Sequence, residues 1–365
     1  MIRYLYIDDE RPEDVRGIVR NLSIRPNDLV IDSKRAIGWN EQVEYIKAHQ
    51  DDWDGILMDL KLEFPISEHI SDRLVYGASA LAQEIRSLTK KEDLVDKPII
   101  LCSTDNNYLT YFDKTSSDLF DACLEKNEIV TTPKVDFFIS HAVAYQKIIA
   151  NENNLESLLQ QPNTEFVKDV KPYFEKLKTV HEKASFIHNQ IIQPVGLLID
   201  EDTFAIRLGI DKVNSADWTT IAEYLQKFKY TGVYSEIIHR WWMSSLNKWW
   251  KNAFPNVSIQ NTPSAKKVDL LKAFFHLENL TVITKPEHQQ YDLYWHKCLK
   301  SPLPTSTADG IRCLEQPRYS WQTPQYISLN YAWNSTLRQQ EELRKIFAPN
   351  ELEKFEKIIS ERNNQ

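Results

Sequence analysis

Apolar residues in the first third of the chain fall into short continuous runs separated by amphipathic stretches. Tyr4-Leu5-Tyr6-Ile7, Leu29-Val30-Ile31, Gly55-Ile56-Leu57-Met58 and Pro98-Ile99-Ile100-Leu101-Cys102 have the length of buried strands, and Ala122-Cys123-Leu124-Glu125 is a weaker fifth. Between and after them, residues 11–22, 40–49, 78–88 and 134–150 read as helices. Pro12 sits near a helix start, where a missing N–H costs little. Asn40 is the expected N-cap of its helix, and Leu81, Ile85 and Leu88 recur at helical spacing. Such alternation predicts an α/β doubly wound, five-stranded parallel sheet covered on both faces by helices. In that architecture chemistry gathers beyond the C-terminal ends of the strands.

The rest of the chain has another texture. Residues 151–164 are polar and rich in Asn and Gln, and 166–192 are helix-like up to Pro194. Eight of the ten tryptophans lie between positions 218 and 333. Helices are expected at 218–230, 234–254, 264–280 and 351–362, with less regular structure over 281–335. The expected organisation is a domain of residues 1–150, a helical linker of 151–195, and a mainly α-helical, Trp-rich domain of 196–365.

Composition narrows the class without changing that picture. The chain has 365 residues, 42% of them apolar and 26% charged, as in an ordinary globular protein. No apolar run reaches the ~18 residues a membrane span requires. The N-terminal run is short and ends in acids, so it reads as a strand and not a secretion signal, and a cytoplasmic location is expected. Four cysteines stand far apart, with no CxxC pair to suggest zinc or a redox motif. The formal charge of −8 is uneven: residues 1–150 hold 18 Lys and Arg against 27 Asp and Glu, and the remainder is near balance. Neither part has the basic character of a DNA-binding domain.

The strand ends carry Asp8, Asp9, Asp59, Ser103 and Lys126. A carboxylate is a poor nucleophile, yet aspartate can form an acyl phosphate if a cation offsets the charge. Three acids at neighbouring strand ends would repel one another unless neutralised. Mg²⁺ suits them, because it takes oxygen ligands and keeps several waters. On this reading Asp59 is both the phosphoacceptor and a metal ligand. Asp9 is a direct ligand, Asp8 binds directly or through water, and the backbone carbonyl of Lys61 supplies a further oxygen. Ser103 hydrogen-bonds a phosphoryl oxygen and Lys126 pairs with another. Catalysis is positioning and charge neutralisation.

Ile7-Asp8-Asp9-Glu10, Ile56-Leu57-Met58-Asp59, the run from Pro98 to Ser103, and Leu124-Glu125-Lys126 together resemble the receiver domain of bacterial response regulators. The resemblance spans about the first third of the chain. It implies a flavodoxin-like fold, phosphoryl transfer from a phosphohistidine on a sensor kinase or phosphotransfer protein, Mg²⁺ as cofactor, and a hydroxyl-and-helix rearrangement as readout. The chain departs from the family in several places. The segment from Asp59 to Gly77 is long and carries Glu63, Glu68, His69 and Asp72. The usual proline is displaced to Pro65. Thr104, Cys123 and Asn127 replace a small residue, an aromatic and a proline.

The second half offers no enzyme motif: no P-loop, HExxH, GxSxG or dinucleotide fingerprint is present. His239-Arg240-Trp241-Trp242-Met243 with Lys248-Trp249-Trp250-Lys251 is its most unusual stretch. On a helix, Ile238, Trp242, Leu246, Trp249 and Ala253 share one face, flanked by Trp241 and Trp250 as partly exposed residues. Core packing is the simplest role. A protein interface is the next, and stacking on single-stranded nucleic acid through Arg240, Lys248 and Lys251 is disfavoured. His181 and His188 lie seven apart without a carboxylate to complete a metal pattern, and Asp200, Glu201 and Asp202 read as a turn. Three functions are open to the sequence. The first is a two-component response regulator whose second half contacts a partner protein. The second is a decoy receiver that drains phosphate from a phosphorelay, as in some phage-defence relays. The third is an effector enzyme in the second half.

Overall fold

The computed structural model describes residues 1–63, 76–104, 107, 112–132, 134–151, 154–160, 167–314 and 317–364. Pro65, Glu68, His69 and Asp72 lie outside the described residues. The chain divides into two compact units: residues 1–188 with 231–237, and residues 189–230 with 238–365.

The first unit is built on five strands: β1 (Ile2–Asp8), β2 (Leu29–Arg35), β3 (Gly55–Asp59), β4 (Ile99–Ser103) and β5 (Ala122–Glu125). All pair in parallel, in the order β2-β1-β3-β4-β5, the flavodoxin-like doubly wound arrangement. β3 and β4 are buried throughout, which is why they read as unbroken apolar runs. Side chains alternate between two apolar layers. Leu5, Ile7, Ile56, Met58, Ile99 and Leu101 face α2 (Trp39–Ala48) and α3 (Ala78–Lys90). Tyr4, Tyr6, Leu57, Ile100 and Cys102 face α1 (Arg16–Leu22), α4 (Lys126–Thr131) and α5 (Val135–Ala150). Gly55 is required by this packing, since a Cβ there would stand 2.2 Å from the Tyr4 ring.

Element ends depart slightly from the expected ones. Residues 12–15 form a turn before α1. Gly38, not Asn40, is the N-cap of α2. Between β4 and β5 lies the 3₁₀ turn Lys114–Leu119. The chain after residue 150 is not a spacer within this unit. It forms α6 (Leu155–Leu159), α7 (Val167–Phe174) and α8 (Val180–Phe186), the last opened by a capping box of Thr179 and Glu182. Leu155, Leu158, Leu159, Phe174 and Phe186 are buried, and the spatial division falls after His188 rather than at residue 150.

In the second unit, β6 (Leu198–Ile199) leads into α9 (Glu201–Leu208), followed by α10 (Trp218–Leu225), β7 (Trp241–Trp242), α11 (Met243–Ala253) and α12 (Ser264–Phe275). β8 (His296–Lys297), β9 (Pro304–Thr305), β10 (Ile311–Arg312) and β11 (Tyr326–Ile327) come next. The chain ends in α13 (Leu329–Trp333), α14 (Leu337–Ile346) and α15 (Pro349–Asn363). The strands pair as two-residue antiparallel ladders: β6 with β7, β8 with β9, and β10 with β11.

Three expectations are corrected here. The single helix expected over 234–254 starts only at Met243, because Trp241 and Trp242 form β7 against Leu198 and Ile199. A strand sends adjacent side chains to opposite faces, and both indoles are covered. Trp241 and Trp250, expected to be partly exposed, are 5% and 1% exposed. They pack in one core with Phe204, Trp218, Leu246, Trp249 and Leu271. Asp200 is the N-cap of α9, its carboxylate accepting the Thr203 N–H at 2.7 Å, so the acidic run opens a helix instead of making a turn. No helix among the described residues is long and apolar enough to cross a membrane.

Candidate active site

The strand register decides which acids meet. Ile7 of β1 pairs with Met58 of β3, so Asp8 and Asp59 leave the sheet side by side. Asp59 in turn pairs with Cys102, and Ser103 lies one residue further along β4. Lys126 is the first residue of α4, directly after β5. Its ammonium reaches back between the acids, 3.0 Å from Asp8 Oδ2 and 2.7 Å from Asp59 Oδ1.

Each carboxylate is held by further donors. Asp59 Oδ2 accepts the Lys61 N–H at 2.7 Å. Asp8 Oδ1 accepts the Glu10 N–H at 2.9 Å, and Asp8 Oδ2 accepts the Tyr6 hydroxyl. Arg35 Nε donates to the Asp9 carbonyl at 2.9 Å, fixing the turn that brings Asp9 beside Asp8. Asp8 and Asp59 are buried, while Asp9 is half-buried at the rim.

The electrostatics follow from one ammonium serving three acids. Burial raises the Asp8 carboxyl, but Lys126, Tyr6 and the Glu10 N–H outweigh it and hold it below the ordinary range. Burial pushes Asp59 up against the pull of Lys126, and the charge on Asp8 adds to the rise. Asp9 is pushed up to about 7 by burial, by its hydrogen bond to Asp8, and by repulsion from Asp8 and Asp59. Burial alone would lower Lys126, but the pair of carboxylates raises it.

Ser103 is fully buried, and among the described residues its hydroxyl has no hydrogen-bond partner. An orphaned buried donor is costly unless something arrives to accept it. Among the described residues no three His, Cys, Asp or Glu side chains are grouped to grasp a metal. The donor set nevertheless suits a small hard cation. Asp8 and Asp9 are close enough to share a proton, and Mg²⁺ needs only one or two carboxylates besides water.

All six residues expected from the sequence therefore gather at one edge of the sheet, Lys61 meeting the site through its N–H. Cys123 and Asn127 are exposed. Tyr6 was not expected in the site. Period-two alternation places it on the face of β1 that Asp8 shares, and that signal was available. His181 and His188 belong elsewhere: His181 Nε2 donates to the Asp118 carbonyl at 2.7 Å, and His188 packs on His141 and Tyr234.

No family model matches the chain, and no curated protein matches it. Among solved structures it is similar to an adenylate cyclase from Rhodopirellula baltica, with a TM-score of 0.28 and 13% identity over 41% of this chain and 97% of that one. With so low a TM-score, that likeness says nothing about what this chain does.

Proposed function

We propose that the first unit is a phosphoacceptor of the response-regulator receiver kind, with Asp59 as the acceptor and a histidine kinase or phosphotransfer protein as the donor. The observation that supports this most is the Lys126 ammonium held between Asp8 and Asp59 at the C-terminal edge of a parallel sheet. An Asp59 oxygen attacks the phosphorus, the bond from phosphorus to the donor imidazole nitrogen breaks, and the imidazole keeps the electron pair. Lys61 N–H orients the attacking carboxylate. Lys126 exchanges its contact with Asp59 for a phosphoryl oxygen, and the Ser103 hydroxyl donates to another. A magnesium ion held by Asp8, Asp9 and Asp59, with the Lys61 carbonyl as a further oxygen, would supply the remaining charge neutralisation.

In this reading the protein is cytoplasmic, and phosphorylation changes how the Trp-rich second half contacts a partner protein, without nucleic acid or membrane. Incubation with magnesium and acetyl phosphate or phosphoramidate should add one phosphoryl mass. Asp59→Ala should abolish it, and Lys126→Ala should slow it by ~10²-fold or more, as for loss of one preorganised charge. Phosphate that never appears, or that survives Asp59→Ala, overturns the proposal. Beryllofluoride, an acyl-phosphate mimic, should alter oligomeric state or partner binding. Uptake without such a change would identify a phosphate sink instead.

A further inference from the structure

We propose that Tyr6 is a positioning residue of the Asp59 site, its hydroxyl holding the Asp8 carboxylate turned so that Oδ1 is the oxygen offered to the cation. This rests on the reading of that site as a magnesium-dependent phosphoacceptor.

Tyr4, Tyr6 and Asp8 share one face of β1. The strand is paired on both sides, with Tyr6 opposite Ser33 of β2 and Leu57 of β3, so the backbone beneath the ring is fixed. Both tyrosines are fully buried in the same apolar layer. An aliphatic side chain would fill that layer without a hydroxyl to satisfy, and a buried hydroxyl without a partner is costly. The two hydroxyls find different partners. Tyr4 donates to the Phe138 carbonyl of α5 at 2.9 Å, a bond between two elements of the fold. Tyr6 donates to Asp8 Oδ2, a residue of the site.

The donors on Asp8 show what that second bond does. An ionised carboxylate has about two acceptor positions on each oxygen. Oδ2 takes the Tyr6 hydroxyl and the Lys126 ammonium, 3.0 Å away, and both of its positions are filled. Oδ1 takes the Glu10 N–H at 2.9 Å and keeps one position. Lys126 is shared with Asp59 and turns to a phosphoryl oxygen in the reaction, so Tyr6 is the fixed donor of the pair. Burial and the Asp8 charge push its phenol well above the ordinary range, which keeps it a donor. Partners that orient a metal ligand from behind are commonly worth 10–100-fold in metal affinity.

Magnesium is titrated into the full chain by calorimetry, with Asp59→Asn to assign the binding to this site. Tyr6→Phe, which removes only the hydroxyl, should weaken magnesium binding about tenfold or more. Tyr4→Phe, the same loss in the same layer, should leave it at the wild-type value. Phosphoryl uptake from acetyl phosphate by Tyr6→Phe should need more magnesium and recover once magnesium saturates, which a loss of stability alone would not produce. If Tyr6→Phe does not fold, wild type decides: the Tyr6 hydroxyl proton resonance should shift as magnesium binds, and that of Tyr4 should not. Equal affinity in Tyr6→Phe and wild type, or an unmoved Tyr6 resonance, overturns this role and leaves the phosphoacceptor reading standing. An equal loss in Tyr4→Phe overturns it too, since both hydroxyls would then act only through the fold. A wild-type chain that binds no magnesium, or binds it unchanged in Asp59→Asn, overturns the metal site and the role of Tyr6 together.

Discussion

Two clusters of buried charge sit at opposite ends of the same five-stranded sheet. At the N-terminal ends of β4 and β5, Arg86 of α3 is bound on every side. Nη1 pairs with Asp96 at 2.6 Å and donates to the Lys97 carbonyl, Nη2 pairs with Asp121 at 2.9 Å, and Nε donates to the Leu119 carbonyl. Asp121 also accepts the Tyr145 hydroxyl and the Ile99 N–H. Asp96 accepts the His181 N–H at 2.7 Å, so α8 is tied to the sheet. At the other end, Lys126 pairs with Asp8 and Asp59, Asp9 stands beside them, and among the described residues the Ser103 hydroxyl has no partner. A network with every valence filled specifies architecture. One in which acids outnumber the single lysine is set up for chemistry, at a cost in stability.

The largest effect should come from breaking the complete network. Arg86→Met leaves Asp96 and Asp121 buried without their cation, which costs about 3–5 kcal/mol in comparable buried pairs. Urea unfolding should show the loss as a lower midpoint, with phosphoryl uptake by the folded fraction kept. A loss below ~1 kcal/mol would mean that this end of the sheet is not a structural clamp.

Asp121→Asn should be milder, about 1–3 kcal/mol, since it keeps shape but weakens its bonds to Arg86 and Tyr145. It also carries a pH signature. Burial opposes ionisation of Asp121, but His181, Arg86 and Tyr145 more than offset it and hold the carboxyl below the usual range. An acid lowered on folding contributes stability that is fully present above its unfolded value of about 4 and is lost as pH falls through its folded value. Wild type should therefore lose stability below about pH 4 more steeply than Asp121→Asn. Parallel curves would mean that Asp121 ionises alike in folded and unfolded chains.

The two ends were not equally legible in the sequence. Strands buried on both faces read as unbroken apolar runs, and parallel topology sends chemistry to their C-terminal ends, so Asp8, Asp59, Ser103 and Lys126 could be found from spacing. The Arg86 cluster joins Asp96 and Asp121 to His181 across 85 and 60 positions, and no local period records such contacts. The same holds for the second unit. Its two-residue ladders are too short to show alternation, so Trp241-Trp242 passed for helix.

The acid-rich end should answer neutralisation with the opposite sign. Asp59→Asn removes one of three mutually repelling acids while keeping the hydrogen-bonding shape. Stability in metal-free buffer should rise by about 1 kcal/mol, within the range gained when a strained functional site is relaxed. The contrast with Asp121→Asn is the point. If both substitutions destabilise alike, the two ends are the same kind of structure and the assignment of a reactive edge loses its thermodynamic support.

Ser103→Ala should have the smallest effect on stability and still discriminate. Among the described residues its hydroxyl makes no hydrogen bond, so its removal leaves no partner stranded, and the unfolding free energy from urea titration should change by no more than ~0.5 kcal/mol. If the hydroxyl waits for a phosphoryl oxygen, the uptake rate from acetyl phosphate should fall about tenfold, as for loss of one hydrogen bond made only in the transition state. A rate equal to wild type would leave the buried hydroxyl without a role and remove Ser103 from the site. A large loss of stability would place it with Asp121, among groups that hold the sheet together.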